Sequence, residues 1–210
     1  MPTFAILAYD GIEPIDIGAT YGVLSMAKRI APELAFFVVA KSAGEVVMAN
    51  GLRLIADNGI DDCPDCNVLM VLGGPGWTVA SEDCGTLQFV RRVAAKGAIV
   101  ASVCTGGMIL GAAGLLDGIK ATTKAAVFDG ETAPLALMSD KIAVQAAVHA
   151  RVIDEGAIVT GGGVSLGIDM TLHLIKRLCG EAVASETARV LEYQAAWAAN
   201  AARLPDHIAV

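Results

Sequence analysis

The chain has 210 residues, 55% of them apolar and 18% charged, with a formal net charge of −7 and a sequence pI of about 4.9. That combination describes a globular protein with enough chain for one sizeable core, and excludes a disordered one. The acidic balance argues against nucleic acid and anionic membrane as partners, since no basic cluster is longer than Arg91-Arg92.

Residues 3–9, TFAILAY, form a short apolar run that predicts a strand. The start, MPTFAILAYDG, lacks the basic residues of a signal peptide, and its apolar run is too short for one. No stretch reaches the roughly 18 uninterrupted apolar residues of a membrane span. The expected address is therefore cytoplasmic. Residues 17–30 carry apolar side chains at helical spacing, and 34–41 again predict a strand. The apolar run 67–76, NVLMVLGGPG, ends in a glycine turn. A helix is predicted over 86–97, closing on Gly97, then a strand over 98–103, AIVASV, and a helix over 107–118. A short strand at 119–123 and a weak helix at 125–136 follow. Residues 152–163 predict a hairpin turning at Glu155-Gly156, and 164–180 and 182–197 predict two helices. Strands apolar on both faces and separated by helices imply one α/β domain with a mostly parallel sheet covered on both sides. The domain is expected over residues 1–197, with 198–210 a partly ordered C-terminal extension.

The five cysteines are an odd number and are expected to be reduced thiols. Cys63-Pro-Asp-Cys66 has the spacing of a zinc or redox pair, but it precedes a strand and has no second ligand pair. The histidines, His149, His173 and His207, are scattered, so no metal or other cofactor is expected. Nor is nucleotide binding. TGGGVSLGID (160–169) lacks the Lys-Ser/Thr of a phosphate loop, and no GxGxxG follows the first strand. Cys84 and Cys179 are read as an ordinary loop and helix cysteine.

The chemistry points to residues 98–116, AIVASVCTGGMILGAAGLL, where a strand runs straight into Cys104 and a helix leaves after two glycines. Ligands of doubly wound sheets bind beyond the carboxyl ends of the strands, and a nucleophile on such a turn is aimed outward by a rigid backbone. At a helix N-terminus the thiolate is favoured, which predicts a lowered thiol pKa. The alternative is a small buried thiol. Asp16 is either the cap of the helix that follows it or a proton carrier whose pKa is raised beside the thiol. Gly73 and Gly74, in GGPG, form a turn or aim backbone N–H groups at charge developing near Cys104. Thr105 is a first-turn helix residue or a hydroxyl donor to substrate.

DGIEPIDIGATYGVL, VLMVLGGPG, VASVCTGGMILGAAGLLDGIKATT and IVTGGGVSLGIDMTLHLI together resemble the ThiJ/PfpI superfamily. More narrowly they are similar to its isocyanide hydratase branch and to the amidotransferase-like domain fused to AraC-type regulators. The resemblance covers about residues 4–193. It implies a flavodoxin-like three-layer α/β sandwich, a reactive cysteine on a nucleophile elbow, and a homodimer. Cys104 then matches the nucleophile, Asp16 the acidic partner, Thr105 the threonine that follows the nucleophile in hydratases, and Gly74 the glycine whose N–H faces the reacting centre. The implied reaction on a small-molecule substrate is hydration of an isocyanide to an N-substituted formamide through a thioimidate on Cys104. Thr105 stands where PfpI-type proteases carry His, which disfavours proteolysis. Lys124 stands where relatives carry the His of ATTHW, and DIGAT replaces their DLTGP. A ligand- or redox-sensing domain and a glyoxalase- or deglycase-like enzyme are the alternatives. The second is disfavoured because that branch has Glu at the position of Asp16.

Overall fold

The computed structural model describes residues 2–204 and 206–209. Met1, at the edge of the expected domain, and Pro205 and Val210, within the expected extension, lie outside the described residues. In chain order the elements are β1 (Thr3–Leu7), α1 (Pro14–Ile17), a π-helical turn (Gly18–Gly22), α2 (Val23–Lys28), β2 (Ala35–Ala40), β3 (Gly44–Val47), β4 (Arg53–Ala56), β5 (Asn58–Gly59), β6 (Val68–Val71), α3 (Trp77–Ala80), α4 (Cys84–Ala95), β7 (Ile99–Ser102) and α5 (Gly106–Ala112). They continue as β8 (Lys120–Ala121), α6 (Pro134–Lys141), β9 (Ala146–Ala147), β10 (Val152–Asp154), β11 (Ile158–Gly161), α7 (Leu166–Cys179), α8 (Glu181–Val190), α9 (Gln194–Arg203) and β12 (His207–Ile208).

The main sheet has the order β12-β10-β11-β7-β6-β1-β2-β5. All of its pairs are parallel except the β10–β11 hairpin. Strand alternation divides the core in two. Phe4, Ile6, Val68, Met70, Ala101 and Val103 pack on one face with Leu24, Leu172 and Ile175. Ala5, Leu7, Leu69, Val71 and Val100 pack on the other with Phe89, Val90 and Ile109. Strands buried on both faces are why β1, β6 and β7 read as unbroken apolar runs. The architecture is the expected three-layer α/β sandwich.

Several element boundaries differ from those predicted. The first helix starts at Pro14 rather than 17, because Glu13 takes the extended cap position and Pro14, with no N–H to lose, takes the first turn. The helix predicted over 125–136 is displaced. Residues 122–133 carry no helix or strand, and α6 starts at Pro134, again a first-turn proline. The helix predicted over 182–197 is two, α8 and α9, broken where Glu192 takes φ 55°. The 119–123 strand pairs outside the main sheet, with β9. The β3–β4 hairpin was not foreseen. After residue 197 the chain completes α9, and β12 then joins the main sheet beside β10.

Candidate active site

Cys104 follows β7 with φ 54°, a left-handed conformation that costs an L-residue energy and persists only where neighbours hold it. They do so at three points. The Cys104 N–H donates to the Gly162 carbonyl at 3.0 Å. Its carbonyl accepts from the Thr123 hydroxyl at 2.6 Å and from the Gly107 N–H at 3.3 Å. The new helix leaves at once because residue 106 is glycine: a Cβ there would stand 2.1 Å from the Val71 carbonyl oxygen. A strand-to-helix elbow is the result, with the thiol buried at the carboxyl end of the sheet.

The neighbouring strands in the order β6-β7-β11 supply the walls. Beyond β6, the Gly73 N–H donates to Asp16 Oδ2 at 3.0 Å, and the Gly74 N–H donates to Thr105 Oγ1 at 2.9 Å. Both glycine N–H groups are therefore occupied in fixing side chains. Thr105 is buried and its hydroxyl also faces the Gly74 carbonyl at 3.4 Å, so it positions the elbow against the β6 turn. The backbone N–H groups of Val164 and Thr105 lie near enough to the sulfur to favour its charged form. Val164 follows β11 and itself holds φ 51°, an outlier for a β-branched residue. Sequence reasoning missed Val164 and Thr123. The glycine run Gly161-Gly162-Gly163 at a strand end was the available signal for the first.

Asp16 is fully buried on the third residue of α1, and the helix cap is Glu13 instead. Asp16 and Cys104 come together closely enough for each to shift the other's titration. Burial, followed by smaller effects that include the charge of Glu13, raises the Asp16 carboxyl to about 7, against the lowering action of the Gly73 N–H. Burial, then the Asp16 charge, pushes the Cys104 thiol up to about 11, while the two N–H groups and Lys124 pull it down. The expectation of a lowered thiol pKa is thus reversed. A helix of seven residues offers too little to offset desolvation and a like charge. Tyr9 lies beneath, its hydroxyl donating to the Leu72 carbonyl at 2.8 Å and held protonated by burial and by both charges.

This arrangement can pass a proton. The resting thiol is protonated, and a carboxyl near its midpoint at neutral pH can take that proton as sulfur attacks, then return it to the adduct. Cys63 and Cys66 stand at the amino end of β6, the opposite edge of the sheet from Cys104. His173 is engaged with Asp154 at 2.7 Å. Among the described residues there is no cluster of three or more His, Cys, Asp or Glu side chains that could hold a metal ion, and no helix is long and apolar enough to cross a membrane.

Comparison with known proteins agrees with this geometry. The chain is 36% identical over 187 residues to the isonitrile hydratase of Pseudomonas putida, which is 89% of this chain and 76% of that protein. It is 25% identical over 198 residues to the HTH-type transcriptional regulator GbdR of Pseudomonas aeruginosa, covering 91% of this chain but only 51% of the regulator. Among solved structures, a ThiJ/PfpI family protein from Pseudomonas syringae superposes with a TM-score of 0.77 at 31% identity, over 92% of this chain and 75% of that one. Drosophila melanogaster DJ-1beta shares the fold, with a TM-score of 0.74 at 16% identity over 91% and 97% of the two chains. The model of the DJ-1/PfpI family matches residues 3–177, and the chain belongs to that family.

Proposed function

We propose that the protein is a cysteine-dependent hydratase that converts an isocyanide to an N-substituted formamide. The observation that carries this reading is the buried Asp16–Cys104 pair, a carboxyl with a pKa of about 7 beside a protonated thiol. Similarity to an isonitrile hydratase over most of both chains supports the substrate class. In the proposed sequence Asp16 takes the thiol proton and sulfur bonds to the terminal isocyanide carbon. The same carbon then receives the proton, giving a thioimidate, R–N=CH–S. Water adds to that carbon as Asp16 takes one of its protons and passes it to the imidate nitrogen. The C–S bond then breaks, the remaining hydroxyl proton passes to the sulfur, and the formamide R–NH–CHO leaves. The N–H groups of Val164 and Thr105 stabilise the sulfur as it carries charge. The working form is taken to be a homodimer, for which light scattering would return about twice the 21.5 kDa of one chain.

The test is hydration of an aryl isocyanide, followed by absorbance, for the wild type and Cys104→Ser. Turnover that disappears in the variant supports the thiol as nucleophile; a variant as active as the wild type refutes it. A second reading is favoured by the similarity to HTH-type regulators. In it the same pair binds or reacts with a metabolite only once. Stoichiometric modification of Cys104 without product would support that reading.

A further inference from the structure

Lys124 enters the site from the side opposite the acidic residues. Cys104 ends β7, between the Gly73-Gly74 turn beyond β6 and the Gly162–Val164 turn beyond β11. Asp16 and Glu13 belong to the β6 side, where the Gly73 N–H holds the Asp16 carboxyl and the Glu13 N–H donates to the Gly73 carbonyl at 2.9 Å. Lys124 belongs to the β11 side. Its predecessor Thr123 bonds the Cys104 carbonyl, and the Lys124 carbonyl accepts from the Leu135 N–H at 3.0 Å, so the backbone here is held from two directions. The lysine stem lies on Gly163: a Cβ on that glycine would stand 3.0 Å from Lys124 Cγ. The next residue, Val164, has its N–H near enough to the sulfur to favour the thiolate.

Lys124 is half-buried as a residue, and no acidic side chain pairs with it among the described residues. Its charge acts on both Cys104 and Asp16, as the smallest of the influences named for each, and its stem on Gly163 holds it beside the Gly162–Val164 turn. Asp16 neutralises it poorly, being close to half-protonated at neutral pH. A cation without an acidic partner beside a nucleophile attracts whatever anion arrives with the substrate. We propose that Lys124 makes this site select small electrophiles that carry a carboxylate, the anionic group meeting the ammonium on the β11 side while the electrophilic carbon meets the Cys104 sulfur. The inference rests on Cys104 being the nucleophile of the proposed reaction, and deepens that reading by naming the substrate class.

The test compares alkylation of Cys104 by iodoacetate and iodoacetamide in the full-length protein. Both reagents form an S–CH2 bond with loss of iodide, and they differ by a carboxylate against a neutral amide. Rates are read at the Cys104 peptide by mass spectrometry, with exposed Cys84 as the internal reference. The iodoacetate-to-iodoacetamide ratio at Cys104 should fall roughly tenfold in Lys124→Ala and in Lys124→Gln, which keeps most of the stem, and should be retained in Lys124→Arg. A ratio unchanged in the neutral variants would overturn the proposal. So would an equal slowing with both reagents, which would assign Lys124 to the ionisation of the thiol alone. A carboxylate-bearing aryl isocyanide should also show a KM lower than its neutral parent in the wild type and in Lys124→Arg, but not in the neutral variants. If neither isocyanide is hydrated, the hydratase reading fails by itself, and the alkylation ratio still decides for or against Lys124.

Discussion

Cys104 and Val164 follow two neighbouring parallel strands, β7 and β11, both with left-handed φ angles, 54° and 51°, and the N–H of Val164 lies near enough to the Cys104 sulfur to favour its charged form. Both residues hold a conformation that L-side chains avoid, and the Cys104 N–H donates to the Gly162 carbonyl, which ties the two turns together. Strain beyond the carboxyl ends of both strands fixes the nucleophile and its neighbouring N–H on rigid elements, the condition for preorganised catalysis.

That strain makes a sign prediction. Alanine ordinarily exceeds glycine in stability by about 0.5–1 kcal/mol within regular structure, because glycine has more backbone freedom to lose. At position 164 the order should invert. Val164→Ala and Val164→Gly lose nearly the same packing, but only glycine escapes the left-handed penalty of about 1–2 kcal/mol. Urea midpoints should place Val164→Gly above Val164→Ala, by about 1 kcal/mol. The ordinary order would mean that the turn relaxes away from φ 51° and that the N–H is not fixed.

Asp16→Asn separates charge from geometry. Asparagine can still accept from the Gly73 N–H but carries no charge and cannot move a proton at neutral pH. The like charge that raises the Cys104 thiol disappears, so the midpoint of the pH profile for iodoacetamide alkylation should fall below the wild-type value of about 11. Hydration should fall by roughly 10²–10⁴-fold, the range of a lost general acid–base group. A more easily ionised thiol together with lower turnover would identify Asp16 as the proton carrier. Retained turnover would leave it as a helix residue with a coincidental neighbour.

The same carboxyl sets a pH dependence of stability. Its folded pKa, about 7, lies above the ordinary value of 3.8, so the folded state holds the proton more tightly than the unfolded state. The stability this contributes is fully present below about pH 4 and is lost as pH rises through 7. The upper bound of that loss is on the order of 4 kcal/mol. Asp16→Asn should gain on the wild type as pH rises from 4 to 8, with the two converging at the acid end. Parallel curves in chemical denaturation over that range would show that Asp16 titrates normally.

Local features of the site were legible in the sequence, whereas its cross-chain connections were not. The turn at Cys104 follows from an apolar strand meeting Thr105-Gly106-Gly107, and β1, β6 and β7 follow from unbroken apolar runs. The direction of the thiol pKa was misjudged because a helix terminus is visible in sequence and burial beside a carboxylate is not. The Gly73 and Gly74 N–H groups bond Asp16 and Thr105 at sequence separations of 57 and 31 residues, connections that no local pattern displays. The break between α8 and α9 has no Gly or Pro to announce it, since Glu192 supplies the left-handed residue. Pro134 and Pro14 did announce their helices, as first-turn residues, and are the better signals in retrospect.

Arg151 joins the C-terminal segment to the core. Its guanidinium forms two bonds to Asp206, at 2.9 and 2.5 Å, and one to Asp169 at 3.1 Å. Asp169 is buried and also accepts from Tyr193 at 2.8 Å and Asn200 at 3.0 Å. Removing the cation leaves a buried carboxylate with two neutral donors, a loss of about 3 kcal/mol. Arg151→Met should lower the urea midpoint accordingly and expose the segment after α9 to proteolysis. The exposed pair Lys41–Asp83 is the control, and Lys41→Met should change stability little. Equal effects of the two substitutions would show that burial does not govern the Arg151 network.

Thr20 offers the opposite case, a polar group whose removal should help. It lies fully buried in the π-helical turn, and its hydroxyl finds no partner among the described residues. The usual bond back to the preceding helical turn, which Thr187 makes to the Val183 carbonyl at 2.7 Å, is missing at Thr20. Burying an unpaired hydroxyl costs about 1–3 kcal/mol, and valine has the same shape without that cost. Thr20→Val should therefore raise the melting temperature, whereas Thr187→Val, which loses a made bond, should lower it. Thr20 lies one helical turn from Asp16, so the variant also reports on the site. A lower melting temperature in Thr20→Val, accompanied by slower hydration, would mean that this hydroxyl is satisfied in the working protein by something held beside the carboxyl.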